Sequence, residues 1–226
     1  MKDRPHQAAK HDFQVERLIF FSDAVFAIAI TLLVIDLKVP KIEGAISDQN
    51  FMIALAHELP QLSGFILSFF IIGLYWTVHH NIFGYVIRNS TKLVWINLVF
   101  LFTIALMPFS TAVYSEYSFS GKYNNLLAPF GVYVINIGLI GLMNYILNRY
   151  IFDPKNKAAE GFSSNYVKFG KLRAIAIPAV FAFALLVGFF DVNIGRMMLF
   201  LIPVVMVILH RKQKKEEQKH IHGFQK

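Results

Sequence analysis

The stretch from Arg17 to Pro40, RLIFFSDAVFAIAITLLVIDLKVP, is apolar and long enough to cross a bilayer, yet it carries Arg17, Ser22 and Asp23 near its start and Thr31 in its middle. An ionisable side chain in hydrocarbon costs roughly 2.5 kcal/mol or more unless a partner or water meets it. A span that only anchors has no use for such a residue. The run therefore predicts a membrane helix with a working role, and Asp23 requires a partner elsewhere in the fold. On a helical wheel Ile28, Thr31 and Ile35 fall at i, i+3 and i+7 and share one narrow face, with Ser22 and Asp23 well off it. Periodicity alone fits two arrangements of that face. Ile28 and Ile35 are ordinary packing or lipid-facing residues with Thr31 bonded back to its own helix carbonyl, or all three side chains line a pathway.

The rest of the chain repeats the apolar theme. Of 226 residues 56% are hydrophobic and 16% charged, with 23 Phe, which places the chain among all-α polytopic membrane proteins. Six transmembrane helices are expected, over residues 18–38, 62–85, 93–114, 126–149, 172–190 and 194–210, forming one domain over 1–226. The first apolar run is too long for a signal-peptide core and has no small-residue cleavage site after it, so it is read as a retained span. The absence of cysteine excludes disulfides, thiolate metal sites and a cysteine nucleophile. The net charge of +8 does not point to nucleic acid, because most of the lysines and arginines fall before the first span, in the even-numbered loops and in the C-terminal tail. By the positive-inside rule both termini are then cytoplasmic.

Smaller features fill in the layout. In loop one, Ser47 can cap a short surface helix with Phe51, Met52, Leu55 and Leu59 on its apolar side and Pro60 as its end. Trp76, His79 and Phe83 share a face of the second span, where His79 is expected to hydrogen-bond Asp23 or Ser22. His79 and His80 point about 100° apart, and no further ligands converge on them, so no metal site is expected. The third span contains Trp95, Asn97 and Pro108, and the proline should bend it near its outer end. Gly131, Gly138 and Gly141 in the fourth span allow close helix approach, and Asn136, Asn144 and Asn148 supply interhelical hydrogen bonds. The loop over 153–171 is given no site. Spans five and six, with Pro178 and Pro203, read as a packing or lipid-facing hairpin, and the basic tail as a stop signal able to touch anionic lipid.

Arg17 followed after three residues by Phe21-Ser22-Asp23 resembles the R-x-x-x-F-S-D signature of the transmembrane protein 175 family, potassium channels of endosomes and lysosomes with prokaryotic relatives. Trp76 and His79 as W-x-x-H, Trp95 with Asn97, and Pro108-Phe109 extend the resemblance along spans two and three. Ala24 stands where the family motif often has glycine, a small-for-small exchange. The resemblance implies that the first span lines a pore and that Ile28, Thr31 and Ile35 occupy the positions of constriction and selectivity. It also implies that Arg17, Phe21, Ser22, Asp23, Trp76, His79, Trp95 and Asn97 form the motif's hydrogen-bond network. The animal members carry two six-span repeats, and the motif occurs once here, so a homotetramer is implied, in the plasma membrane of a prokaryote.

The function implied is a potassium-selective channel with an isoleucine constriction in place of a carbonyl filter, since no T-V-G-Y-G run exists in the chain. A ring of Ile28 offers no ligand to an ion. A ring of Thr31 hydroxyls, one turn further on, can replace part of the hydration lost by permeant potassium. No cofactor and no catalytic residues are expected. Proton conduction is the main alternative, because Asp23 and His79 could relay protons. A secondary transporter is disfavoured because no internal repeat is found and the prolines lack nearby charge. An enzyme is disfavoured because Asp23 and His79 make no catalytic set.

Overall fold

The computed structural model describes residues 4–42, 44–118 and 126–202, with 204–205, 207–209 and 211–212 beyond. The described chain is helical: α1 (Arg4–Leu32), α2 (Asp48–Phe83), α3 (Thr91–Ala105), α4 (Met107–Ser118), α5 (Leu127–Ile151), α6 (Ser164–Gly188) and the short α7 (Val192–Met197). Five stretches among these residues are long and apolar enough to cross a membrane: Phe13–Ile35, Gln61–Phe83, Thr91–Tyr117, Leu127–Ile151 and Ser164–Gly188. The protein is thus a multi-pass all-α membrane protein. The expected sixth span, 194–210, is helical where described, with 203, 206 and 210 outside the described residues.

Boundaries differ from the sequence expectation in ways that have local causes. The first helix starts at Arg4, upstream of the apolar run, and tightens into a 3-10 turn over Leu33–Asp36. Ser47 does cap α2, accepting the Asn50 amide at 3.2 Å. Pro60, however, does not end a separate surface helix. The helix runs unbroken from 48 to 83, so the second span begins well before 62. A proline removes a single amide donor, and the capped turns upstream carry the helix past that loss. At about 1.5 Å per residue, 36 residues reach about 54 Å, against roughly 30 Å of hydrocarbon. The third span does break near Pro108: the helix stops at Ala105 and resumes at Met107, as expected where a proline crowds the preceding turn. α6 begins at Ser164, ahead of the expected 172, after a cap in which Ser163 accepts the Tyr166 amide.

α5 sits at the centre, packed against α6, α4 and α3, while α1 lies against α2, α3 and α4. Gly141 makes the α5–α6 contact possible, since a Cβ there would fall 1.9 Å from Pro178 Cγ and 3.0 Å from the Ala174 carbonyl oxygen. Gly131 and Gly138, expected to act similarly, have nothing within 4 Å of such an atom. A polar cluster joins three helices in the interior: Thr111 Oγ1 donates to Ser68 Oγ at 2.8 Å, Ser68 Oγ lies 2.8 Å from the Tyr133 hydroxyl, and Asn136 Nδ2 donates to Ser110 Oγ at 3.0 Å. Asn148, by contrast, bonds within α5, donating to the Asn144 carbonyl at 3.0 Å. At the basic end of the bundle the two connections pair with each other. The Ile87 amide donates to the Ala158 carbonyl at 2.9 Å and the Glu160 amide to the Tyr85 carbonyl at 3.1 Å, forming one antiparallel bridge. Tyr85, Phe152, Phe162 and Tyr166 pack their rings around it.

Candidate functional site: the first helix and its polar anchor

α1 is two-sided. Val15, Leu18, Ser22, Phe26, Ala29 and Leu33 are all buried, at the three- and four-residue steps of a helix seam. Arg17, Phe21, Ala24, Ile28, Thr31 and Ile35 follow the same spacing on the opposite side and are all exposed in the single chain, Ile28 at 58% and Ile35 at 72%. The face proposed from the wheel is therefore covered by no other described element, and Phe20, Ala27 and Val34 beside it are exposed as well. Thr31 is bonded back to its own helix, its hydroxyl within 3.0 Å of the Ala27 carbonyl oxygen and 2.9 Å of that of Ile28. With the hydroxyl hydrogen committed to the backbone, the lone pairs of Oγ1 are what the side chain presents outward. The two readings of Thr31 are thus compatible.

The buried side of α1 is anchored by one amide. Asn97 of α3, fully buried, donates from Nδ2 to Ser22 Oγ at 2.9 Å, and Ser22 passes its own hydrogen to the Leu18 carbonyl at 2.7 Å. Asn97 Oδ1 lies 2.8 Å from His79 Nε2. An amide oxygen only accepts, so His79 donates through Nε2. Its ring is held between Phe83, with centroids 4.2 Å apart, and Phe100, at 5.6 Å and nearly parallel, with Phe26 tilted against it. Three helices are joined in this way through Asn97. Asp23, half-buried one residue further along α1, accepts the Trp76 indole N–H at 2.9 Å.

Five of the eight residues expected in the network are thus brought together, with one change of partner and three omissions. His79 bonds to neither Ser22 nor Asp23; its partner is Asn97, whose amide bridges the His79 ring and Ser22. Arg17 is exposed, with its guanidinium 5.8 Å from the Phe13 ring of its own helix. Asp23 lies six positions further on, about 9 Å along the axis. Phe21 has no hydrogen-bonding group and is 49% exposed. Trp95 is 64% exposed, as expected two residues, or 200°, from the buried Asn97. The Ser68, Thr111 and Tyr133 cluster was missed, for each member is an unremarkable polar residue in its own span, whereas Asn136, expected to bond between helices, does so to Ser110. Among the described residues no three His, Asp or Glu side chains gather as metal ligands.

Comparison with known proteins bears on this arrangement. Residues 17–108 match the family model described as "Endosomal/lysosomal potassium channel TMEM175". A potassium channel of Streptomyces collinus is 35% identical over 145 residues, 62% of this chain and 68% of that one. An endosomal/lysosomal proton channel TMEM175 of Gallus gallus is 32% identical over 108 residues, 46% of this chain and 22% of the other. The fold matches the crystal structure of a lysosomal potassium-selective channel TMEM175 homolog from Chamaesiphon minutus with a TM-score of 0.71, over 88% of this chain and 98% of that one at 24% identity. The chain that places Ser22, Asp23, Trp76, His79 and Asn97 behind the bare face of α1 belongs to the TMEM175 family, as a prokaryotic member.

Proposed function

We propose that the protein is a potassium channel formed by four copies of the chain, each a single domain over 1–226, with α1 of every copy facing a common axis. The observation that carries this reading is the uncovered stripe of α1, in which a hydroxyl with outward lone pairs sits between two isoleucines. Lipid would accept the isoleucines, but a helix that also carries Arg17 on that stripe is better served by a water-filled path. The named functions of bacterial relatives support potassium as the cargo. In this reading Ile28 and Ile35 are apolar rings that set the constriction, and Thr31 supplies oxygen to a partly dehydrated ion. Potassium releases its water more readily than sodium, which gives the selectivity its sign. Ser22, Asp23, Trp76, His79 and Asn97 hold α1 in place. The termini lie on the cytoplasmic side of a prokaryotic plasma membrane. No step of this function calls for a cofactor, a metal or enzyme chemistry.

The test is reversal potentials of purified protein in bilayers under bi-ionic potassium and sodium. Ile28→Asn lowers the cost of wetting the constriction and raises the current with some loss of discrimination. Thr31→Val keeps the shape, removes the oxygen and lowers the potassium preference. An unchanged current in the first and an unchanged reversal potential in the second would take α1 off the axis. A second reading, proton conduction, is favoured by the names of the vertebrate relatives, whereas the Asn97 amide between Ser22 and His79 carries no titratable proton and makes that chain an anchor. A proton gradient imposed without metal-cation gradients separates it from the first.

A further inference from the structure

At the end of α1 away from Arg17, Lys38 reaches across to Glu116 near the end of α4 and forms an ion pair, Nζ to Oε2, with the two side chains 59% and 49% exposed. The backbone carrying Lys38 is held in place: the Leu37 amide donates to the Val34 carbonyl at 3.2 Å, and Leu33 and Leu37 face Thr111, Ala112 and Ser115 of α4 across a small cavity. An ion pair this exposed contributes little to stability, about 0–1 kcal/mol. What the pair changes is the local field, because Lys38 lies three residues beyond Ile35, where the chain leaves the exposed stripe of α1.

We propose that Glu116 is a conductance-setting residue: by pairing with Lys38 it removes an ammonium charge per subunit from the mouth through which cations enter. The proposal rests on the reading that α1 lines the pore. With Glu116 neutralised, each Lys38 loses its paired carboxylate, with Glu58 left across the neighbouring cavity, and the four lysines raise the potential at the mouth and lower the local potassium concentration. A change of about one kT there alters that concentration roughly threefold. With Lys38 neutralised instead, four carboxylates act in the opposite sense. Both effects belong to half-exposed charges and are screened by salt.

The experiment is single-channel potassium current entering from the Lys38 side, recorded at about 10 mM and about 1 M salt, where the Debye length is about 30 Å and about 3 Å. At low salt Glu116→Gln is expected to cut the current about threefold, Lys38→Gln to raise it by a similar factor, and the double variant to return to wild type. At high salt all four proteins conduct alike. A folding defect raises no current and is not cured by salt, so the opposite signs and the rescue identify the field. Single variants that match wild type at low salt, or a loss that persists at high salt, would overturn the proposal. If Ile28→Asn raises the current while the Lys38 and Glu116 variants are inert, only the ion-pair role falls. If Ile28→Asn is inert too, the pore reading falls with it.

Discussion

Replacing Asn97 with Ala takes away, in one step, the donor to Ser22 Oγ and the acceptor for His79 Nε2, and leaves both groups buried. A buried polar group stripped of its partner costs about 1–3 kcal/mol. Asn97→Ala is therefore expected to lower the melting temperature in detergent more than Asp23→Ala, whose lost partner is the 40% exposed Trp76. His79→Ala should rank with Asn97→Ala, since it also removes a ring packed between Phe83 and Phe100. Melting curves that place Asp23→Ala lowest would reverse this ranking. The sequence made Ser22, Asp23, Trp76, His79 and Asn97 legible as polar residues in apolar runs that need internal partners. It did not make the pairing legible, because which side chains meet across three packed helices is absent from any one helix's periodicity. Asp23 drew attention as the charged group, yet the fully buried amide is the residue that joins α1, α2 and α3.

Helices that cross a membrane gain little from hydrophobic burial against one another, so close backbone approach decides how tightly they pack. Gly141→Ala would drive a methyl into Pro178 on α6. An overpacked contact of this kind costs about 1–3 kcal/mol, and a lower melting temperature is expected. Gly131→Ala meets open space and gains helix propensity, up to about 1 kcal/mol, so it is expected to melt at or above wild type. If the two variants melt alike, the α5–α6 contact is not the tight one described. The three glycines look equivalent in sequence because they recur in one span without information on what faces them. Prolines carried the same ambiguity. Pro108, expected to bend its span, coincides with the break between α3 and α4, and position 60, expected to end a helix, lies within an unbroken α2. The serine caps at Ser47, Ser90 and Ser163 are local hydrogen bonds, to which Ser90 adds a contact of 2.9 Å with the Tyr150 hydroxyl, and the one expected from sequence, at Ser47, was readable because it is local.

The all-helical membrane class followed from length and apolar content, because a bilayer admits few alternatives to the helix for an apolar chain of this kind. What composition leaves open is the number of copies. One motif per chain predicts four α1 helices from four subunits, and native mass spectrometry in detergent should find the tetramer as the conducting species; a conducting monomer or dimer would exclude that geometry. The bridge between the α2–α3 and α5–α6 connections has a consequence for how such a chain is made. Ribosomes deliver the N-terminal part first, so the Tyr85 carbonyl and the Ile87 amide emerge long before Glu160 and Ala158, their partners. Until the later segment arrives, the hairpin of α2 and α3 has an open backbone edge at the membrane surface, and Tyr85 lacks the rings of Phe152 and Tyr166. The half of the chain that carries α1 and its polar anchor is thus completed, late in synthesis, by the half that carries neither.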